Sequence, residues 1–293
     1  MLDDDRLFDV DAEAPLAAPT PTLPRHLSPS SASTFEQCPR RWRHRYVERL
    51  PDPPGEPALA GTLAHRVLEL LLAEPASGRT TERARVLASE AWPGVASHPD
   101  YVRLAHDQAA TRAFKWRVWR AIEGLWHLED PASVDVVATE QRIEVELGDV
   151  PFVGIVDRLD RSDGELTVSD YKSGRPPSPR HQDERLHQVL LYAAAVAAHT
   201  GERPRRARLL YLGATSLEVE VDAANLDAAT ERLGEQWTAL GEATRTDEFE
   251  ARPGPLCGWC PFAGQCPEGM AEVRQRYDTG RIRASAPALS LVA

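Results

Sequence analysis

The stretch from Gly154 to Gly174, GIVDRLDRSDGELTVSDYKSG, decides how the rest of the chain is read. Apolar residues alternate through Val153, Ile155 and Leu159, and again through Leu166 and Val168. Between them Asp163-Gly164 is a dipeptide that tolerates the positive φ angles of a two-residue hairpin turn. With that pair as the loop, Leu159 faces Val168, Asp157 faces Asp170 and Ile155 faces Lys172, which puts both acids on the apolar face. Side chains opposed in this way have Cβ atoms about 5 Å apart, where like charges repel, and burial among Ile, Leu and Val raises the cost further. A divalent cation between them removes the repulsion, and hard carboxylate oxygens suit Mg²⁺ or Mn²⁺. Lys172, two residues beyond Asp170, shares its face. A solvated surface hairpin with its acids in water is the alternative that this segment alone leaves open.

Composition narrows the setting. The chain has 293 residues, 42% of them hydrophobic, enough for one large domain or two small ones. No apolar run approaches the roughly 18 residues of a membrane span, and the start, MLDDDRLFDVD, is acidic where a signal peptide is basic, so a soluble, cytoplasmic protein is expected. Among 34 basic residues only Lys115 and Lys172 are lysine, so Lys172 stands where the composition favours Arg; a compact ammonium can approach a water or a phosphate oxygen as a point charge. The net charge of -11 argues against a general nucleic-acid coat protein without excluding a local basic channel. Arg40, Arg41, Arg43, Arg45 and Arg49 form one cationic cluster; Arg112, Lys115, Arg117 and Arg120, interleaved with Trp116 and Trp119, form another. Such mixtures follow phosphates and stack unpaired bases, although a solvated helix with its Trp residues in the core has the same pattern.

Along the chain, residues 1–27 are acidic and then rich in Pro and Ala, and are expected to be disordered; a flexible tail is expected over 278–293. Between them 28–277 read as a single domain. Ser30 to Arg49 is a capped helix and Gly61 to Ala73 a strong one, with helical patterns to about residue 129 broken near Pro75 and Pro93. Strands follow at Val134–Leu147, Phe152–Arg161 and Glu165–Lys172, then a helix from about Glu184 to His199, strands around 208–212 and 217–221, and a helix from Ala224 to about Glu242. This order predicts a mixed α/β layer fold with a central sheet between helices.

Cys38 stands alone near the start, whereas Cys257, Cys260 and Cys266 share CGWCPFAGQC. An intracellular protein of this size has little use for disulfides, and three thiols in a knot with C-x2-C spacing read as ligands of one metal site. Zinc and iron–sulfur both accept four sulfurs. Pro follows Cys38, Cys260 and Cys266, a weak pointer to a cluster. A link from 38 to 257 staples the ends of the domain together. Two helical pairs complete the polar constellation: His65 with Glu69, and Gln188 with Tyr192, each four residues apart on one face. Read alone, the first is a core histidine and the second a polar helix edge.

Together these pieces resemble the RecB-like branch of the PD-(D/E)XK nucleases, particularly its iron–sulfur members such as AddB nuclease domains and CRISPR-adaptation nucleases. GTLAHRVLE with His65 looks like the H-x-x-x-E helix, GIVD with Asp157 like the G-(hydrophobic)2-D motif, SDYK with Asp170 and Lys172 like D-Y-K, and QVLLY like Q-x-x-x-Y. The split cysteines look like that branch's [4Fe–4S] staple, with Zn²⁺ as the alternative. Val156 stands where the superfamily name has Pro, and no G-x-x-x-x-G-K-[ST] is present. The resemblance implies a restriction-endonuclease-like mixed sheet (about 134–221) with a helical part (about 61–130), and a metal-dependent deoxyribonuclease of exonuclease type acting in repair or recombination. Its substrate would be DNA that is single-stranded or has free ends, with a separate helicase as a possible partner. His65, Asp157, Asp170 and the Tyr171 carbonyl would hold Mg²⁺ or Mn²⁺; Lys172 would orient water; Gln188 and Tyr192 would position the strand; and Cys38, Cys257, Cys260 and Cys266 would hold the cluster. Glu140 is read as an assistant, a claim that Glu144 and Glu146 on the same strand weaken. A non-cleaving DNA-binding subunit and a zinc-stapled interaction protein are the alternatives from other classes.

Overall fold

A computed structural model describes residues 20–293; most of the expected N-terminal tail lies outside the described residues. The chain forms α1 (Pro29–Gln37), α2 (Pro39–Trp42), α3 (Glu56–Leu72), α4 (Thr81–Ala96), α5 (Pro99–Arg103) and α6 (Gln108–Glu123). Strands β1 (Asp135–Leu147), β2 (Val150–Ser162) and β3 (Glu165–Lys172) follow. The crossover helix α7 (Gln182–Thr200) leads to β4 (Arg206–Tyr211) and β5 (Thr215–Glu220), and α8 (Ala223–Thr246) and α9 (Pro267–Asp278) complete the order. The sheet runs β1-β2-β3-β4-β5, antiparallel throughout except for the parallel β3–β4 pair that α7 connects. This is the mixed sheet flanked by helices expected of a restriction-endonuclease-like fold.

The β2–β3 turn is the one the sequence asks for. Asp163 and Gly164 both have positive φ, 51° and 84°, and Leu159 pairs with Val168. Each face of the sheet carries a core. Leu159, Val168 and Leu209 pack with Val189, Ala193 and Val196 of α7 and Leu233 and Leu240 of α8. Tyr171 and Leu210 join the helical layer, where Leu63, Val67 and Leu71 of α3 meet Phe114, Val118 and Ile122 of α6.

Several local expectations change. The single helix over 30–49 is interrupted at Cys38-Pro39, because Pro39 has no N–H to continue the ladder; it opens α2, which runs into a π turn over Arg43–Val47. Pro93 lies inside α4 instead of ending it. Residues after 278 lie against the cysteine-rich segment: Ala288 and Val292 are buried with Ala263 and Val273, so the short apolar run near the end has a partner. Leu27, at the edge of the expected tail, is likewise buried and bridges Phe152.

Candidate active site

The acids meet at a kink. Along β2, Val150, Phe152 and Val156 face the α7 core, but so does Leu159, so the inward parity changes between 156 and 159. Opposite this point on β1, between the pairs Thr139↔Arg158 and Gln141↔Val156, sits Glu140 with φ 48°, a left-handed conformation rare for a non-glycine residue, and the register of β1 against β2 shifts nearby, between Val136 and Ala138. The kink corrects the alternation read from sequence. Ile155 is exposed and does not share the acids' face; Asp157, turned inward by the irregularity, does.

Asp157 Oδ2 accepts the Tyr171 backbone N–H at 2.7 Å and lies 3.4 Å from His65 Nδ1. Ligand atoms of His65, Glu140 and Asp157 all fall within 4.8 Å of one another. Of the two acids expected to form the centre, Asp157 is in this group and Asp170 is not, being paired with Lys172; Glu140, expected only to assist, takes the place beside Asp157. The signal that separates Glu140 from its strand neighbours is its backbone angle, which no residue pattern discloses. Glu144 is instead engaged at the surface by Arg142.

Asp170 is buried, and the Lys172 ammonium lies 2.5 Å from its Oδ2. The contact is an ion pair without hydrogen-bond alignment, leaving that buried oxygen without an aligned donor. Lys172 also reaches Gln188 Oε1 at 3.4 Å, and Gln188 donates to the Tyr192 hydroxyl at 3.3 Å. The D-Y-K and Q-x-x-x-Y residues thus form one polar chain, and two glycines of the sequence motifs serve close approaches to it. A Cβ on Gly154 would stand 2.9 Å from the Tyr192 ring, and one on Gly61 would stand 2.9 Å from Ser173 Oγ, just past Lys172.

Three neighbouring buried or half-buried acids carry an electrostatic cost. Burial is the first cause pushing the Glu140 carboxyl up to about 7, with Asp157, Glu69 and Asp170 adding repulsion. Burial also raises Asp157 and Asp170, against the pull of Lys172. The His65 imidazole is pushed down by burial and held neutral, as a metal ligand must be. Three acids raised together and an imidazole whose protonation burial disfavours form a donor set suited to a hard divalent cation.

Beneath the site, on the other sheet face, lies an ion network that the sequence did not disclose. Arg158 is fully buried, its guanidinium 2.5 Å from Glu129, 2.8 Å from Asp160 and donating to the Tyr171 hydroxyl at 2.8 Å; Arg208 closes the network onto Asp160 and Ser169. Tyr171 stands edge-on to His65 with ring centroids 5.7 Å apart, so the network fixes the residue that holds both Asp157 and His65. Charged residues at 158 and 160 in a central strand were its only trace.

The four cysteines line a single small cavity of about 30 Å³ beside Arg40, Arg41 and His44. Backbone N–H groups of Arg252, Gly254 and Gly269 donate to the sulfurs of Cys38, Cys257 and Cys266 at 3.4, 3.4 and 3.3 Å. Burial pushes the Cys260 and Cys266 thiols up. None is in a disulfide. Around the cavity the ends of the domain meet: Trp42 stacks on Phe249 at 5.8 Å, and Arg40 bonds the Phe249 carbonyl at 2.8 Å.

Comparison with known proteins decides the family. Residues 26–267 match the family profile described as the PD-(D/E)XK nuclease superfamily. The chain belongs to that superfamily. It is 23% identical over 294 residues to the Gene 69 protein of Mycobacterium phage L5, covering 85% of this chain and 98% of the relative. It is 24% identical over 267 residues to the Gene 69 protein of Mycobacterium phage D29, with 82% and 96% covered. The solved structure SSO0001 aligns over 84% of this chain and 87% of its own, at 15% identity and a TM-score of 0.34. Superfamily membership marks the protein as a nuclease with DNA as the implied substrate and divalent metals as the usual cofactors. Among the described residues no helix is long and apolar enough to cross a membrane.

Proposed function

We propose that the chain is a Mg²⁺- or Mn²⁺-dependent deoxyribonuclease of the RecB-like, exonuclease type, with 28–277 as one catalytic domain. The observation that carries this reading is the convergence of His65, Glu140 and Asp157 within 4.8 Å, beside the Lys172–Asp170 ion pair. His65, Asp157, Glu140, Asp170 and the Tyr171 carbonyl would hold the metal, which, when bound, supplies Lewis-acid charge to a phosphodiester oxygen and acidifies water. The chain's own residues do the positioning. Tyr171 N–H fixes the Asp157 carboxylate, leaving its other oxygen free. Lys172 would offer its ammonium to a phosphate oxygen, and Gln188, braced by Tyr192, limits where that ammonium can stand.

For the cysteines we favour a [4Fe–4S] cluster. All four sulfurs line one cavity, and what supports a cluster over a single zinc is the likeness of the split spacing, Cys38 before the motifs and Cys257, Cys260 and Cys266 after them, to the iron–sulfur branch. The N–H···S bonds suit thiolates sharing their charge with a cluster.

The test is cleavage of end-labelled single- and double-stranded DNA by anaerobically purified protein, with and without Mg²⁺ or Mn²⁺. Metal-dependent cleavage is expected, and Lys172→Ala should lower it by at least about a hundredfold with folding unchanged. An alanine variant as active as the parent removes Lys172 from the reaction; binding without cleavage under any metal identifies a non-catalytic subunit instead.

A further inference from the structure

Helix α6 carries a row of exposed residues four apart: Arg112, Trp116 and Arg120. Trp116 is 60% exposed, and among the described residues no ring or cation lies against it. One exposed tryptophan is ordinary, but its surroundings are not. The row joins two hollows. At one end a cleft of about 600 Å³ between α4 and α6 is lined by Arg85, Arg112, Lys115, Trp92, Trp116 and Trp119, with no acidic side chain. Lys115 lies over the Trp92 ring at 4.0 Å and Arg85 over Trp119 at 4.8 Å. Among the described residues none of these three cations is in an ion pair with a carboxylate. At the other end a hollow of about 270 Å³ is walled by Arg117, Arg120, Ser173 and Gly174, the last two immediately following Lys172.

The row therefore leads from the edge of the candidate active site to an aromatic, cationic cleft on a chain whose net charge is -11. Local reversal of charge selects a polyanion. Indole faces beside the cations select bases that are not already stacked in a duplex. We infer that the α6 row and the α4–α6 cleft form a track for single-stranded DNA, with bases stacking on Trp116 and phosphates passing Arg120, Arg112 and Lys115. This inference deepens the nuclease reading by fixing the strand type and the course of the strand beyond Lys172.

Binding of fluorescein-labelled oligo(dT) to the full chain, at low salt and with no divalent cation added, separates the track from the chemistry. Trp116→Ala, at an exposed position where the fold is indifferent, should weaken binding about 5- to 150-fold, the equivalent of one lost base stack. Arg112→Ala with Lys115→Ala should flatten the log–log salt dependence by up to about 1.4. Parent-like affinity and salt slope in both variants, or failure of the parent to bind oligo(dT), overturns the track even if the protein cleaves DNA. Tight binding that depends on Trp116, in a protein that cleaves nothing, sustains the track and overturns the nuclease reading.

Discussion

The molecule has two candidate metal centres, and they are built in opposite ways. Acids of the first come from adjacent strands: Asp157 and Asp170 flank one tight turn, and Glu140 lies on the strand next door. Ligands of the second come from the two ends of the domain, Cys38 against Cys257, Cys260 and Cys266. In the first, the sheet exists whether or not a cation is bound, and it forces carboxyls together against their repulsion. In the second, small irregular segments gather around the sulfurs, and burial pushes the Cys260 and Cys266 thiols up, so that a metal must displace their protons. Losing metal should thus cost chemistry at one centre and structure at the other.

The sharpest way to break that comparison is at Asp157. Asp157→Asn should abolish metal-dependent cleavage, by about a thousandfold or more, and leave the melting temperature equal or higher because a buried charge is removed. Glu140→Gln should do the same more weakly, raising the Mn²⁺ concentration needed for half-maximal cleavage about 10- to 100-fold. If Glu140→Gln behaves as the parent in a metal titration, the left-handed kink has another purpose.

At the cysteine centre the expected effect is on stability. Cys257→Ser should remove the bound metal, with loss of the brown colour and of iron by elemental analysis. It should also lower stability by several kcal/mol, because the contacts around Trp42 and Phe249 depend on the staple. Stoichiometric zinc in a colourless parent would replace the cluster with a single ion. An unchanged melt would mean that apolar packing alone joins the ends.

The smallest effect is one of pH. The Glu140 carboxyl, raised to about 7, has lost part of its tendency to ionise on folding. Its cost is absent below the ordinary carboxylate range and fully present above about 7, so the metal-free protein should lose stability as pH rises from 6.5 to 8. The loss should be below about 1 kcal/mol once the half-exposed carboxyl is discounted for screening, and it should shrink when Mg²⁺ is added. Below 6.5 two opposing sets act: Asp157 and Asp170, raised to about 6 by burial, work in the same sense as Glu140, whereas His187, pushed down to about 4 by burial, and His65, also lowered by burial, disfavour folding as they are charged. A melting temperature that rises between pH 6.5 and 8 without metal contradicts the crowded-acid picture.

These centres also differ in how far the sequence discloses them. The hairpin was legible because Asp163-Gly164 fixes a turn type and the turn fixes a register. The cysteine site was legible because rare residues at C-x2-C spacing have few other uses. What escaped was geometry without a local signature. The parity change on β2 turned Ile155 outward, and the positive φ of Glu140 has no residue pattern of its own. The buried Arg158–Glu129–Asp160–Arg208 network needs residues from across the fold before its charges cancel. Helix limits moved where a proline could be accommodated, as Pro93 is within α4.

The central claim is that the crowded carboxyls are a cation site, and calorimetric titration of Mn²⁺ into the metal-free protein tests it directly. At pH 7 binding should release protons, because Glu140 is partly protonated there, and both the binding and the release should vanish in Asp157→Asn while the cysteine centre stays intact. Absence of binding, or the same isotherm in parent and variant, would contradict the account.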